Sequence, residues 1–249
     1  MKNKTQRLYL IYFLFLSSIS LLVVASFWWD ELDEELKIDI TFSETNILPS
    51  SVYEKLLDKI IDDSTRKLNL NEITEIIENH PYVKVARVSR HYPSKLIIEI
   101  IERTPIAIVN KNPMIFLDEE SYVLPEMGNL NDYNLPILSN FNTDSGLYPQ
   151  GQKALSAKII ECALIIKQLK NRYTNLYDNL SELKITSDNE IELILSDHPT
   201  HIYLGNENIY NRIHILREFE NKLKPNSISN FNYLDFRYEN QIIANNRKS

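Results

Sequence analysis

The stretch that decides the fold is His80-Pro-Tyr-Val-Lys-Val-Ala-Arg-Val-Ser-Arg90, then His91-Tyr-Pro93, then Ser94-Lys-Leu-Ile-Ile-Glu-Ile-Ile-Glu102 and Arg103-Thr-Pro105. Val83 to Arg90 and Ser94 to Glu102 are rich in β-branched residues and read as two strands, with His91-Tyr92-Pro93 as the turn between them. Val83, Val88, Leu96 and Ile98 are the expected core positions of this sheet. Upstream, Ile73, Ile76 and Ile77 make a short apolar helical face that Pro81 ends, with Asn69 and Asn71 as caps. Before that, Tyr53, Leu56, Leu57, Ile60 and Ile61 recur at helical spacing behind Pro49 and Ser50. Leu36 to Phe42 alternates apolar and polar, as a half-buried strand does. The order is β-α-α-β-β, which predicts two helices on one face of a small sheet over residues 36–104.

Past Pro105 the pattern changes. Ile106 to Val109, Met114 to Leu117 and Ser121 to Leu124 read as short strands, and Pro125 to Pro149 as a turn-rich connection. Leu155, Ile159, Cys162, Ile166, Leu169 and Tyr173 step by four and three, which marks a long amphipathic helix. Strands are predicted over Glu190 to Leu195 and Thr200 to Leu204, and a second helix carries Ile209, Ile213, Leu216 and Leu223. Asn232 to Arg237 and Gln241 to Ala244 close the chain as strands, and the polar tail, residues 245–249, is expected to fray. The fold class is therefore α+β, with a mainly antiparallel sheet and two helices in a mixed α/β domain over residues 105–244.

Upstream of both parts, Leu8 to Trp29 is an uninterrupted uncharged run, long enough to cross a hydrocarbon core of about 30 Å as a transmembrane helix. Lys2, Lys4 and Arg7 precede it, while Asp30, Glu31, Asp33, Glu34 and Glu35 follow it. Positive charge stays inside, so residues 1–7 are expected in the cytoplasm and the bulk outside, with Trp28 and Trp29 as interface anchors. A cleaved signal peptide would have a shorter apolar core and small residues behind it; here bulky Phe27, Trp28 and Trp29 end the run.

Charge and composition exclude several classes. The first 29 residues hold three cations and no acid, so the remainder carries 24 Lys/Arg against 34 Asp/Glu, a charge of −10. That balance argues against nucleic acid and anionic lipid headgroups as partners. With 4 glycines, no Gly-x-Gly-x-x-Gly or phosphate-loop motif is present, and there is no Gly-x-Ser-x-Gly elbow. Cys162 is the one cysteine, so no internal disulfide forms; on its apolar stripe it reads as buried filler. His198-Pro-Thr-His201 is the one close histidine pair and has no neighbouring Cys or Glu to complete a metal site. Asp118, Glu119 and Glu120 are adjacent acids on a turn, where solvation suits them better than acid–base work. Arg87, Arg90, His91 and Lys95 form a local basic cluster, read as a solvated edge in preference to a contact patch. No catalytic group, metal, cofactor or small-molecule substrate is expected.

The combination His80-Pro-Tyr-Val83, Ala86-x-Val88, Arg90-x-x-Pro93, Leu96 and Glu102-Arg103-x-Pro105-x-Ala107 resembles the POTRA domain of the FtsQ/DivIB cell-division family. In that motif Pro81, Val83, Arg90, Pro93, Glu102, Arg103 and Pro105 are the matching residues. Leu117-Asp118 to Val123 with Leu135-Pro136 is similar to the start of the family's second domain. Tyr203-Leu204-Gly205 with Arg212-Ile213, and Tyr233-Leu-Asp-Phe-Arg-Tyr238, resemble two further family segments. Ser121, Ser139 and His198-Pro199 stand where the family has glycine-marked turns.

The resemblance implies a single-pass divisome protein of the bacterial inner membrane that does no chemistry. It would link early and late division proteins at the septum and help control septal peptidoglycan synthesis. The implied partners are FtsB and FtsL, with wider contacts to the septal synthase complex. A membrane-anchored POTRA-type assembly or transport factor handling client polypeptides is the alternative, and an anchored envelope enzyme a poorer one. Tyr233 to Tyr238 alternates, with Tyr233, Asp235 and Arg237 on one face and Leu234, Phe236 and Tyr238 on the other. It is expected to end the sheet as an uncovered edge to which a partner adds a strand. The resemblance makes this region, with Ile242, the docking surface for FtsB, Tyr238 its aromatic anchor and Arg237 a partner for an acidic residue. The plainer reading, that Phe236 and Tyr238 complete the core, stays open.

Overall fold

The structure, a computed structural model, describes residues 2–34, 39–61, 69–92, 94–126 and 134–247. Helix α1 (Lys2–Glu34) contains Ile11–Trp28, a span of mean hydropathy 2.1 that is long and apolar enough to cross a membrane, and none of it is buried. A lone helix with no polar face and no protein cover is what lipid, not water, would solvate.

The chain divides into two compact units, and α1 belongs to the first. The first holds β1 (Asp39–Phe42), α2 (Ser50–Ile61), α3 (Leu70–Glu78) as far as Ile77, and the parts of β2 (Val83–His91) and β3 (Lys95–Glu102) that run over Ala86–Ile100. Its sheet has the order β1-β3-β2, and β1 lies parallel to β3 with Asp39 opposite Lys95 and Phe42 opposite Ile98. Tyr53 and Leu57 of α2, Ile73 and Ile77 of α3, Ala86 of β2, and Leu96, Ile98 and Ile100 of β3 are its buried residues. The expected core position Val88 is half-buried instead. Burial along β2 steps from Val83 to Ala86, and Val85 between them faces solvent, so the strict alternation assumed for this strand does not hold. Pro93 and residues 36–38 lie outside the described residues.

The second unit is Thr45–Pro49, Glu78–Val85 and Ile101–Ser249. It carries β4 (Pro105–Val109), β5 (Ile115–Asp118), β6 (Val123–Pro125), β7 (Ile137–Ser139), α4 (Ala157–Arg172), α5 (Thr174–Asp178), β8 (Leu180–Ile185), β9 (Ile191–Leu195), β10 (His201–Gly205), α6 (Ile209–Leu223), β11 (Phe231–Asp235) and β12 (Ile243–Asn246). All nine strands form one sheet in the order β12-β11-β10-β9-β8-β7-β4-β5-β6. The pairs β10–β11, β7–β8 and β4–β7 are parallel; the other five are antiparallel.

Register fixes two faces. Leu117, Ala107 and Val109, Leu138, Leu183, Leu193, Ile202 and Leu234 share one, and with Ile159, Cys162, Ile166 and Leu169 of α4 and Ile209, Ile213 and Leu216 of α6 they form one continuous core. Glu182, Lys184, Glu192, His201, Tyr203, Tyr233, Asp235 and Ile243 share the other. Ser156 starts α4, its Oγ accepting the Ile159 N–H at 3.4 Å, so Leu155 lies ahead of the helix and is 66% exposed, not on its apolar stripe as expected. Burial pushes the Cys162 thiol up to about 12.

Three further expectations change. β7 lies inside the stretch read as turns, and β8 and the short α5 fall between the predicted helix and strand. The Tyr233–Tyr238 segment does not end the sheet: β12 pairs with β11, Tyr233 opposite Asn245 and Asp235 opposite Ile243, so β12 is the edge. The frayed tail is also shorter than expected. β12 runs to Asn246, and the Arg247 N–H extends the pairing to the Asn230 carbonyl at 2.9 Å.

Candidate partner-docking edge

A sheet has two edges, and in this one they are treated differently. At one end, β6 is covered by residues 150–154. The Val123 N–H donates to the Gln152 carbonyl at 2.8 Å, Gly151 N–H donates back to Val123 at 2.8 Å, and Ala154 N–H reaches Ser121 at 2.9 Å. Pro125, the last residue of β6, has no N–H to offer. At the other end, all four residues of β12 are exposed, and no described element pairs with its outer side. An open strand edge presents unpaired N–H and C=O groups, the usual template for an added strand.

The residues leading into β12 are held from several sides. Arg212 of α6 donates through Nη1 to the Leu204 carbonyl at 2.5 Å and through Nη2 to the Arg237 carbonyl at 3.0 Å, tying the ends of β10 and β11 together. Gly205 sits at φ +73, where a Cβ would stand 2.5 Å from the Arg212 guanidinium. The left-handed backbone favours glycine there, and a side chain would also push the Arg212 guanidinium from its place. Leu204-Gly205, Arg212 and Asp235-x-Arg237 are thus one clamp.

Within it, Arg237 is already paired. Its Nη2 lies 2.7 Å from Asp235 Oδ2, its Nη1 lies 2.9 Å from Glu190 Oε2, and its guanidinium sits 5.2 Å over the Tyr203 ring. Hydrogen bonds to Asp235 and then Glu190 raise its pKa further. The expectation that Arg237 is free for an acidic partner residue is therefore corrected: two internal carboxylates occupy it. Burial pushes the Asp235 carboxyl up, but the hydrogen bonds from Arg237 outweigh it and the net shift is down.

Phe236 is 3% exposed and meets Phe219 edge-on at 6.2 Å, so it completes the core. Tyr238, beyond the end of β11, is 50% exposed. Ile242 packs partly against the core just ahead of β12, while Ile243 within it is 39% exposed. Tyr233 is half-buried on the open face beside Tyr203. Of the six residues named from sequence, Tyr238 is the exposed one, in the connection between β11 and β12, and Ile243 is a further exposed apolar residue on β12 itself.

The POTRA motif residues divide in the same way. Glu102 accepts three backbone N–H groups, from Asn46, Ile47 and Leu48 at 2.6, 2.8 and 3.0 Å, so it fixes the loop before α2. Arg103, 8% exposed, pairs with Asp118 at 2.7 Å and lies 3.5 Å over the Tyr122 ring. Asp118 in turn accepts the Glu120 and Tyr122 N–H groups at 2.8 Å each, closing the turn between β5 and β6. Ser121 in that turn has φ 67, a left-handed backbone that explains why a glycine suits it. Val83 and Pro105 are buried, Pro81 is half-buried and Arg90 is exposed. Of the acids weighed as possible catalysts, Asp118 is structural, Glu120 pairs with Lys84 at 2.7 Å, and Glu119 faces Lys167 and Lys170. His201 meets Glu192 at 2.5 Å across β9 and β10, a pairing nine positions apart that the sequence did not suggest. Among the described residues no group of three or more His, Cys, Asp or Glu is placed to hold a metal.

Residues 104–245 match the family described as FtsQ/DivIB, C-terminal related. The chain belongs to the FtsQ/DivIB family. Residues 37–103 match the FtsQ-type POTRA domain. The chain is 25% identical over 178 residues to the cell division protein FtsQ of Syntrophotalea carbinolica, covering 72% of this chain and 62% of that one. It is 25% identical over 178 residues to that of Geotalea daltonii, covering 71% and 63%. To that of Rickettsia bellii it is 42% identical over 93 residues, covering 37% and 34%. The chain thus spans under two thirds of these relatives' length. The FtsQ/DivIB motifs coincide with the clamp at Gly205, Arg212 and Arg237 and with the Arg103–Asp118 pair, all buried or half-buried structural positions.

Proposed function

We propose that this FtsQ/DivIB chain is a single-pass divisome scaffold, with its N-terminus in the cytoplasm and the chain beyond α1 outside. In this reading it links early and late division proteins at the septum and helps control septal peptidoglycan synthesis. The β12 edge receives a strand from an FtsB-type partner, and FtsL-type proteins and the septal synthase complex join through that contact. Backbone hydrogen bonds along β12 supply affinity, and Tyr238 and Ile243 supply side-chain contact.

The observation that carries this is the asymmetry of the sheet. One edge is closed by a loop and a proline, while the other is open and bears exposed Ile243, with exposed Tyr238 in the connection from β11 to β12. Natural sheets guard their edges unless something is meant to pair there. The test uses full-length protein in detergent and the FtsB-type protein of the same cell. Tyr238→Ala, and Ile243→Lys, which places a guarding cation on the edge, each weaken binding by more than about tenfold with an unchanged melting temperature. Wild-type affinity in both variants rules out β12 as the docking edge.

A further inference from the structure

Past the end of β12 lies a cavity of about 480 Å³ whose polar lining is His198, Asn226, Ser229, Asn230, Asn246 and Arg247. Its two other lining residues are apolar. We propose that this cavity receives an Asp or Glu side chain of the strand that adds to β12, with Arg247 as its counter-charge. The inference rests on the docking reading above and specifies which partner chemistry that edge selects.

Three observations carry it. The first is the donor balance: the chain has 34 acids, yet none among the described residues lines the cavity, whose polar side chains there can all donate a hydrogen bond. The second is the state of Arg247. It has no ion-pair partner among the described residues, and its Nε is buried without a hydrogen bond. One bond of 3.3 Å, from Nη2 to the Phe231 carbonyl, holds its guanidinium. A desolvated donor left unpaired is costly, and a side chain held by one long bond turns easily toward a better acceptor. The Nε–H and Nη–H fork of arginine matches the two oxygens of a carboxylate. The third is position. Asn246 is both the last residue of β12 and part of the cavity wall, and the Arg247 N–H donates to Asn230. A chain laid along β12 therefore passes the cavity as it leaves the strand. Arg237 is held by Asp235 and Glu190 and Arg212 by two carbonyls, so among the described residues near this edge Arg247 is the guanidinium with the fewest partners.

The probe is the FtsB-type protein used for the docking reading, with each acid of its strand-adding segment changed to the amide in turn, against full-length chain in detergent. Arg247→Gln weakens binding at least about tenfold at an unchanged melting temperature. One amide variant of the partner weakens binding as much, and combining it with Arg247→Gln adds no further loss. Arg247→Lys, which keeps the charge and loses the fork, falls between; it is the decisive variant if Arg247→Gln lowers the melting temperature. Wild-type affinity in Arg247→Gln, or strictly additive losses with every partner amide, overturns the cavity assignment while Ile243→Lys still abolishes binding. Wild-type affinity in both Tyr238→Ala and Ile243→Lys overturns the docking reading and the cavity assignment together.

Discussion

Phe236 and Tyr238 stand two positions apart in one motif and do different work. Phe236 is 3% exposed against Phe219, whereas Tyr238 is 50% exposed. Alternation put Leu234, Phe236 and Tyr238 on one face without saying which face is buried, and β11 stops at Asp235, so alternation says nothing of Tyr238 beyond the strand's end. The same limit hid the fate of Arg237, which turns back to Asp235 and across to Glu190, 47 positions away. Ser121 is the opposite case. Its glycine-like position was legible in the motif, and its φ of 67 gives the reason. Phe236→Ala is expected to destabilise the chain by about 3–5 kcal/mol, as truncating a buried phenylalanine does. Urea denaturation followed by fluorescence reads this, and a midpoint equal to that of the wild type would remove Phe236 from the core.

At the scale of elements, the long helices and most short apolar strands were readable, while β7, β8 and α5 were not. α2, α3, α4 and α6 repeat their apolar residues over two turns or more. β7 has three residues, too few for any period to show, although it sits in the middle of the sheet. β8 alternates, but a register irregularity between Leu180 and Glu182 breaks its phase. The closing strand expected over Gln241 to Ala244 runs instead over Ile243–Asn246, since all four residues are exposed and no buried side marks its bounds in the sequence. The β5–β6 turn depends on a single carboxylate. Asp118 binds Arg103 and two backbone N–H groups while 4% exposed. Asp118→Ala leaves two N–H groups without their acceptor and the buried Arg103 guanidinium with Glu120 alone, at 3.1 Å, so a loss of about 3 kcal/mol is expected. Lys84→Ala removes only a surface pair to Glu120 and is expected to cost about 1 kcal/mol or less. Equal losses in the two variants, compared by thermal melting, would show that the Arg103–Asp118 pair is not the one that matters.

Across the whole molecule, the apolar helix, the POTRA pattern and the sheet-rich second part were all legible, because each rests on composition or on repeated spacing. Which edge of the sheet stays open was not legible. It depends on residues 150–154 closing β6 and on β12 pairing with β11, contacts between segments far apart in sequence. The acidic balance of −10 after the apolar run also sets the cavity at Arg247 apart, since no acid among the described residues lines it. The central claim is that a partner completes the sheet at β12, and amide hydrogen exchange of Ile243 to Asn246 in the full-length chain tests it most directly. With the FtsB-type partner bound, amides of β12 should exchange at least about tenfold more slowly, since new ladder bonds protect them, while the β6 segment over Val123–Pro125 stays unchanged. Exchange of β12 at the same rate with and without saturating partner would contradict the claim.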